Sequence, residues 1–155
     1  MDELKKEVKS AIDKMKVDNG KGLDVVETRF RCKVGADDCH YSRNMLAGSD
    51  LMKFVADMAT DLSLRRDADS SMLVNINADF HASVFGGDTL EIVGWTIQEG
   101  KRSRTNGFAM FKLISYYADH WDRTKDTESA YTVLDEPMLV CSGTYVCVVK
   151  KVREL

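Results

Sequence analysis

The sequence predicts an α+β fold, an antiparallel sheet wrapped around one long helix. Three observations carry that expectation. Ser49 to Arg66 (SDLMKFVADMATDLSLRR) has helical periodicity and is apolar over most of its circumference, so other structure must enclose it. Four β-rich segments follow in succession, joined mostly by short turns, as antiparallel neighbours are. A further β-rich segment precedes the helix. One helix beside consecutive strands must lie on a face of their sheet.

The 155 residues suit one domain, with 44% hydrophobic and 30% charged side chains, the balance of a globular chain. Folding at this size buries roughly 68–70% of the unfolded surface, a core that needs no metal or disulfide staple. The net charge of −3, from 22 Lys plus Arg against 25 Asp plus Glu, sets up no global field for nucleic acid or anionic lipid. No apolar run reaches the ~18 residues of a membrane span, and the charged N-terminus lacks a signal-peptide stretch. The four cysteines, Cys32, Cys39, Cys141 and Cys147, make no CxxC pair. Reduced thiols in the cytoplasm are the expectation, with Cys32, Cys141 and Cys147 as strand-core residues and Cys39 alongside them.

Taken in order, Leu4, Val8, Ala11, Ile12 and Met15 recur at helical spacing and predict a short amphipathic helix, closed by Asn19-Gly20 and Gly22. Residues 1–22 are therefore an N-terminal helix and linker, and 23–155 one domain. Val25 to Val34 alternates as a half-exposed strand. The stretch GADDCHYSRNMLAG is a long connection, and long connections in compact domains are often functional. The 49–66 helix follows, with Gly48 and Ser49 as expected caps and Arg65 and Arg66 complementing its C-terminal dipole. Its polar face is narrow: Asp50, Lys53, Asp57 and Asp61.

In SMLVNINADF, Met72, Val74, Ile76, Ala78 and Phe80 alternate with Leu73, Asn75, Asn77, Asp79 and His81. A turn at Gly86-Gly87-Asp88 leads to TLEIVGWTIQE, and then a strand from Ser103 to Tyr117. Residues 118–130 are polar and read as an excursion or lid. After Asp135-Glu136-Pro137, a last strand begins at Met138. This order of elements fits a hotdog fold.

Several residues are candidates for chemistry. Asp57 and Asp61, four apart, share a helix face and can point into one space, where like charges tend to raise one pKa. Periodicity alone favours reading Asp50, Lys53, Asp57 and Asp61 as a solvated face. The start of the 49–66 helix offers unpaired backbone N–H groups and a positive dipole end, and Gly48 allows close approach of a carbonyl. His40 could polarise a carbonyl or relay a proton, or be a packed loop histidine. Tyr41 reads as packing with its hydroxyl satisfied nearby, and Asn44 as a turn or an orienting group. Asp37, Asp38, Cys39 and His40 do not make a metal site, since adjacent side chains rarely converge on one ion. Asp79 leaves the face that holds Ile76. Lys101, Arg102 and Arg104 are a solvated hairpin end or a place for an anionic nucleotide. No glycine-rich phosphate loop is present.

The block DCHYSRNMLAGSDLMKFVADMATDL, followed by ADFHASVFGGDTLEIVGW, GKRSR and VLDEPMLVCSGTYVCVVKK, resembles the CoA-thioester ammonia lyases. These are the 3-aminobutyryl-CoA and β-alanyl-CoA enzymes of amino-acid fermentation, among them lysine degradation. The resemblance runs from about Val25 onward. Asp61 and Asp79 stand where the family carries glutamate, Cys39 where it carries alanine, and Ser83 where it carries proline. Ser42 and Arg43 replace small residues.

The resemblance implies a hotdog domain that eliminates ammonia from a β-amino acyl-CoA, most like 3-aminobutyryl-CoA going to crotonyl-CoA. Asp57 is then the general base, with Asp61 holding the ammonium and His40 and the helix N-terminus stabilising the enolate. Tyr41, Asn44, Gly48, Ser49 and Asp79 line the substrate, and Lys101, Arg102 and Arg104 take the CoA phosphates. It implies no cofactor beyond the substrate's coenzyme A, and self-association as a dimer or trimer of dimers with sites between subunits. A hotdog thioesterase, an enoyl-CoA hydratase and a non-catalytic acyl-CoA-binding module are the alternatives.

Overall fold

The computed structural model describes residues 27–39, 41, 44–115 and 131–150. The expected helix over residues 1–22, His40, Ser42, Arg43 and the 118–130 excursion lie outside the described residues. The elements are β1 (Thr28–Lys33), a 3-10 turn (Ala36–Asp38), α1 (Gly48–Asp67), β2 (Met72–Phe80), β3 (Thr89–Glu99), β4 (Ser103–Ser115) and β5 (Thr132–Val148). They form one five-stranded sheet of order β1-β3-β4-β5-β2. Every pairing is antiparallel.

α1 lies against one face, as its apolar circumference requires. Leu51, Val55, Met58 and Leu62 are buried. Val55 and Met58 join Leu90, Ile92, Phe108, Met110, Val140, Cys141 and Tyr145 in the main core. Helix and sheet approach closely at Gly94, where a Cβ would sit 2.5 Å from Met58 Sδ. The opposite face carries a second buried cluster, Val93, Trp95, Ala109 and Leu139. β1 and β2 are the sheet edges.

Four local expectations are corrected. The helix N-cap is Ala47, extended at φ −72° and ψ 155° and without a side-chain cap, so Gly48 and Ser49 belong to the first turn. The alternation of β2 breaks at a bulge between Leu73 and Asn75. Leu73, Ile76 and Ala78 therefore pack on the core, while Met72 and Val74 are exposed. β5 begins at Thr132, six residues early, and runs through Pro137. This is possible because the β4–β5 register jumps between Lys112↔Met138 and Ile114↔Val133, so the proline nitrogen interrupts no ladder bond. Cys39 is not in a strand but in an isolated bridge to Leu46.

Candidate active site

The polar stripe of α1 runs antiparallel to β1. Thr28, Phe30 and Cys32 turn toward the helix. The Thr28 hydroxyl donates to Asp61 Oδ2 at 2.5 Å, and Arg65 Nε donates to the same oxygen at 2.8 Å from one turn further on. The Thr28 hydrogen bond first, and Arg65 second, hold the Asp61 carboxyl below the usual carboxylate range. Paired like charges were expected to raise one of the two aspartates; Asp61 shifts the other way because its neighbours are donors. An ionised Asp61 is a weak base and a good seat for a cation.

Asp57 is exposed. Its charge reaches Cys32 on β1: burial first and Asp57 second push that thiol up to about 11. At neutral pH Cys32 stays protonated and is no nucleophile. An open pocket of about 300 Å³ lies at the Asp61 end of the stripe, lined by Glu27, Thr28, Arg29 and Arg65.

At the other end, the first turn of α1 rests on the loop after β2. Leu46 N–H donates to Val84 O at 2.8 Å, and Gly86 N–H to Asn44 O at 2.8 Å. Asn44 itself sits at φ 56°, a turn role that uses its backbone. Ala47 O accepts from Asp50 and Leu51, so the Gly48 and Ser49 N–H groups head the helix as its leading donors. Gly48 faces the Phe80 ring, which a Cβ would meet at 3.2 Å. Tyr41 is 59% exposed rather than packed.

The remaining expected residues lie apart. Asp79 pairs in register with Ser142 on the sheet face turned away from α1, where His81 Nε2 is 2.9 Å from Ser142 Oγ. One chain therefore does not bring Asp79 to Asp57. Lys101 and Arg102 are exposed on the β3–β4 hairpin. Arg104 is turned inward: it holds Asp67 at 2.9 Å through Nη2 and donates to the carbonyls of Gly100 and Ser103. Of the three basic residues, Lys101 and Arg102 stay exposed to solvent. Thr28, Arg65, Lys112 and Asp88 escaped the sequence reading. The inward row of β4, Arg104, Asn106, Phe108, Met110 and Lys112, carried a signal, since charges at both ends of an apolar row need buried partners.

Nor does one chain unite Asp57 with the helix donors. Nine residues separate Gly48 from Asp57, which puts them about 14 Å apart along the axis and roughly on opposite sides of the helix. A thioester carbonyl oxygen and its α-proton are far closer than that.

No protein-family model matches the chain. Over 126 residues, 81% of this chain and 95% of the relative, it is 30% identical to a 3-aminobutyryl-CoA ammonia lyase from Acetoanaerobium sticklandii. The β-alanyl-CoA:ammonia lyase from Clostridium propionicum superposes with a TM-score of 0.71 at 26% identity, covering 82% of this chain and 87% of that one. A hypothetical thioesterase protein with coenzyme A from Streptococcus pneumoniae shares the fold, with a TM-score of 0.61 at 13% identity over 81% of this chain and 82% of that one.

Proposed function

The chain belongs to the hotdog-fold CoA-thioester ammonia lyases, and from that premise we propose which residues carry the reaction and on what substrate. It eliminates ammonia from a β-amino acyl-CoA. The single observation that carries this reading is the 30% identity to a 3-aminobutyryl-CoA ammonia lyase along nearly all of that enzyme. By the same likeness, 3-aminobutyryl-CoA is the proposed substrate and crotonyl-CoA the product, within amino-acid fermentation in the cytoplasm.

Asp57 takes the α-proton, and the electron pair of that C–H bond forms the new double bond. The C–N bond breaks and ammonia leaves with its own pair. The proton on Asp57 then passes to ammonia or water, which restores the carboxylate. Asp57 suits this task because it has no hydrogen-bond partner among the described residues, so nothing there competes for its lone pairs. Asp61, kept ionised by Thr28 and Arg65, holds the substrate ammonium. The Gly48 and Ser49 N–H groups receive the carbonyl oxygen as enolate charge develops. His40, Tyr41 and Asn44 flank that end in sequence. Lys101 and Arg102 take the CoA phosphates at the far end of α1. That end lies about 15 Å beyond Asp57 by helix rise, a span the pantetheine arm covers. The group needs no cofactor other than the coenzyme A of its substrate.

The separation of Asp57 from the helix donors supports a site completed by a second copy. We assign the pairing surface to the edge of β2, which has no second strand neighbour among the described residues and where Met72, Val74 and Phe80 are exposed apolar side chains. A dimer, or a trimer of dimers, closes that edge. Asp79, on β2, then lies beside the partner.

Purified protein mixed with crotonyl-CoA and ammonium tests the reaction. Loss of enoyl absorbance that depends on ammonium is the expected result. Loss without ammonium identifies a hydratase, release of free thiol a thioesterase, and no change with any amine or acyl chain a binding module; each of these overturns the lyase.

A further inference from the structure

Lys112 lies in the inward row of β4 with its side chain 6% exposed, beside a fully buried Asp88. Its ammonium donates to Ser83 O at 2.7 Å, sits 3.2 Å from Asp88 Oδ2 and lies 5.6 Å from the centre of the Phe85 ring. Taking two charges out of water is expensive, and well-packed apolar residues often serve stability as well or better. Core stability alone therefore gives no reason for the pair. Its contacts give another. Asp88 Oδ2 also accepts the Phe85 N–H at 2.9 Å, so both ends of the 83–88 loop are tied to one ammonium.

That loop is the bed for residues 44–46, the segment that leads into α1. Val84 O accepts from Leu46, Phe85 bridges Met45, and Gly86 donates to Asn44. Ala47, the N-cap, is the next residue along. The loop turns on Gly87, at φ 94°, and its 87–88 end is anchored by backbone bonds to Val34, while the ammonium ties its Ser83 end. We propose that the buried Lys112–Asp88 pair is a positioning device, which fixes the 83–88 loop and through it the Gly48 and Ser49 N–H groups that receive the thioester oxygen. The inference rests on the assignment of the helix N-terminus to that oxygen. Neither residue touches the substrate. Donors to a developing oxyanion act only when aimed at its position, and misplacement by about 1 Å can lower a rate on the order of 10²-fold.

Lys112→Met alone leaves a buried carboxylate without its cation, so the test removes both charges together in Lys112→Met/Asp88→Asn. Asp88→Asn alone is the conservative variant, since an amide oxygen still accepts from Phe85 and Lys112. Three quantities are measured: thermal midpoint, kcat and KM for 3-aminobutyryl-CoA, and the affinity ratio of butyryl-CoA to S-butyl-CoA, a thioether lacking the carbonyl oxygen. The double variant is expected to lose about 10²-fold in kcat with KM nearly unchanged, and to lose its preference for the thioester. Asp88→Asn keeps most of both. If the double variant does not fold, Asp88→Asn carries the test, and its thioester preference must fall in step with its kcat. An unchanged kcat in the double variant overturns the proposal. So does a loss that follows the thermal midpoint alone while the thioester preference stays intact. A wild-type protein inactive on every β-amino acyl-CoA contradicts the lyase instead, and its thioester preference still tests the positioning.

Discussion

At the residue scale, the proposed roles of the two aspartates of α1 follow from their environments. Asp57 is exposed and lacks a partner among the described residues; Asp61 is clamped by two donors. Asp57→Asn keeps volume and removes the base, so activity is expected to fall on the order of 10²–10⁴-fold with the thermal midpoint unchanged. Asp61→Asn costs less and raises KM for the amine-bearing substrate more than for its enoyl product. Full activity in Asp57→Asn beside an inactive Asp61→Asn would exchange the roles.

Asp61 also links stability to pH. Its folded pKa lies below the unfolded one, so its contribution is fully present above the unfolded pKa and is lost as pH falls through the folded value. Thr28→Val removes the larger cause. The difference in thermal midpoint between wild type and Thr28→Val is thus largest near neutrality and shrinks as pH falls through the carboxylate range. A difference that widens in acid would contradict the assignment. The spacing of Asp57 and Asp61 was readable in sequence, but the Thr28 clamp was not. It joins residues 33 apart through the register of β1 against the helix, which is a tertiary fact.

At the scale of elements, the sequence located α1 and β3 closely, α1 because its apolar repeat is unbroken and β3 because the Gly86-Gly87-Asp88 turn and Gly100 bound it. β2 and β5 were harder. A single bulged residue moves Val74 and Met72 from the core row to the surface, and period-2 counting cannot see a bulge. Pro137 marked the expected start of β5, yet it sits where the register with β4 jumps. Arg104 looked like one of a basic run, while strand alternation turns it inward to Asp67. The pairing of β2 on β5 hinges on Gly143, where a Cβ would lie 1.9 Å from Asn77 O. The nearest atoms are all β2 backbone, with no flexible side-chain end to yield. Gly143→Ala is expected to destabilise by about 3 kcal/mol or more and to release β2 first, seen as early hydrogen exchange at Ile76 and Ala78. Wild-type stability in that variant would contradict the observed register.

At the scale of the molecule, the free β2 edge and the divided site make the same demand. The proposed second copy would cover the edge and supply the half of the site that one chain cannot place. Val74→Lys, at an exposed position of that edge, is expected to shift the protein toward monomer on a sizing column and to lower activity in proportion. A monomeric variant with full activity would restrict the site to one chain.

Subunit mixing tests the shared site most directly. Gly48→Pro removes one leading N–H of α1, and the extended Ala47 before it suits a following proline. Asp57→Asn removes the base. Each variant alone is expected to be nearly inactive in ammonium-dependent consumption of crotonyl-CoA. After equal amounts are unfolded and refolded together, random pairing yields mixed dimers with one intact site, and about a quarter of wild-type activity returns. Mixed dimers that form and remain inactive would contradict a lyase site built from Asp57 of one subunit and the helix N-terminus of the other.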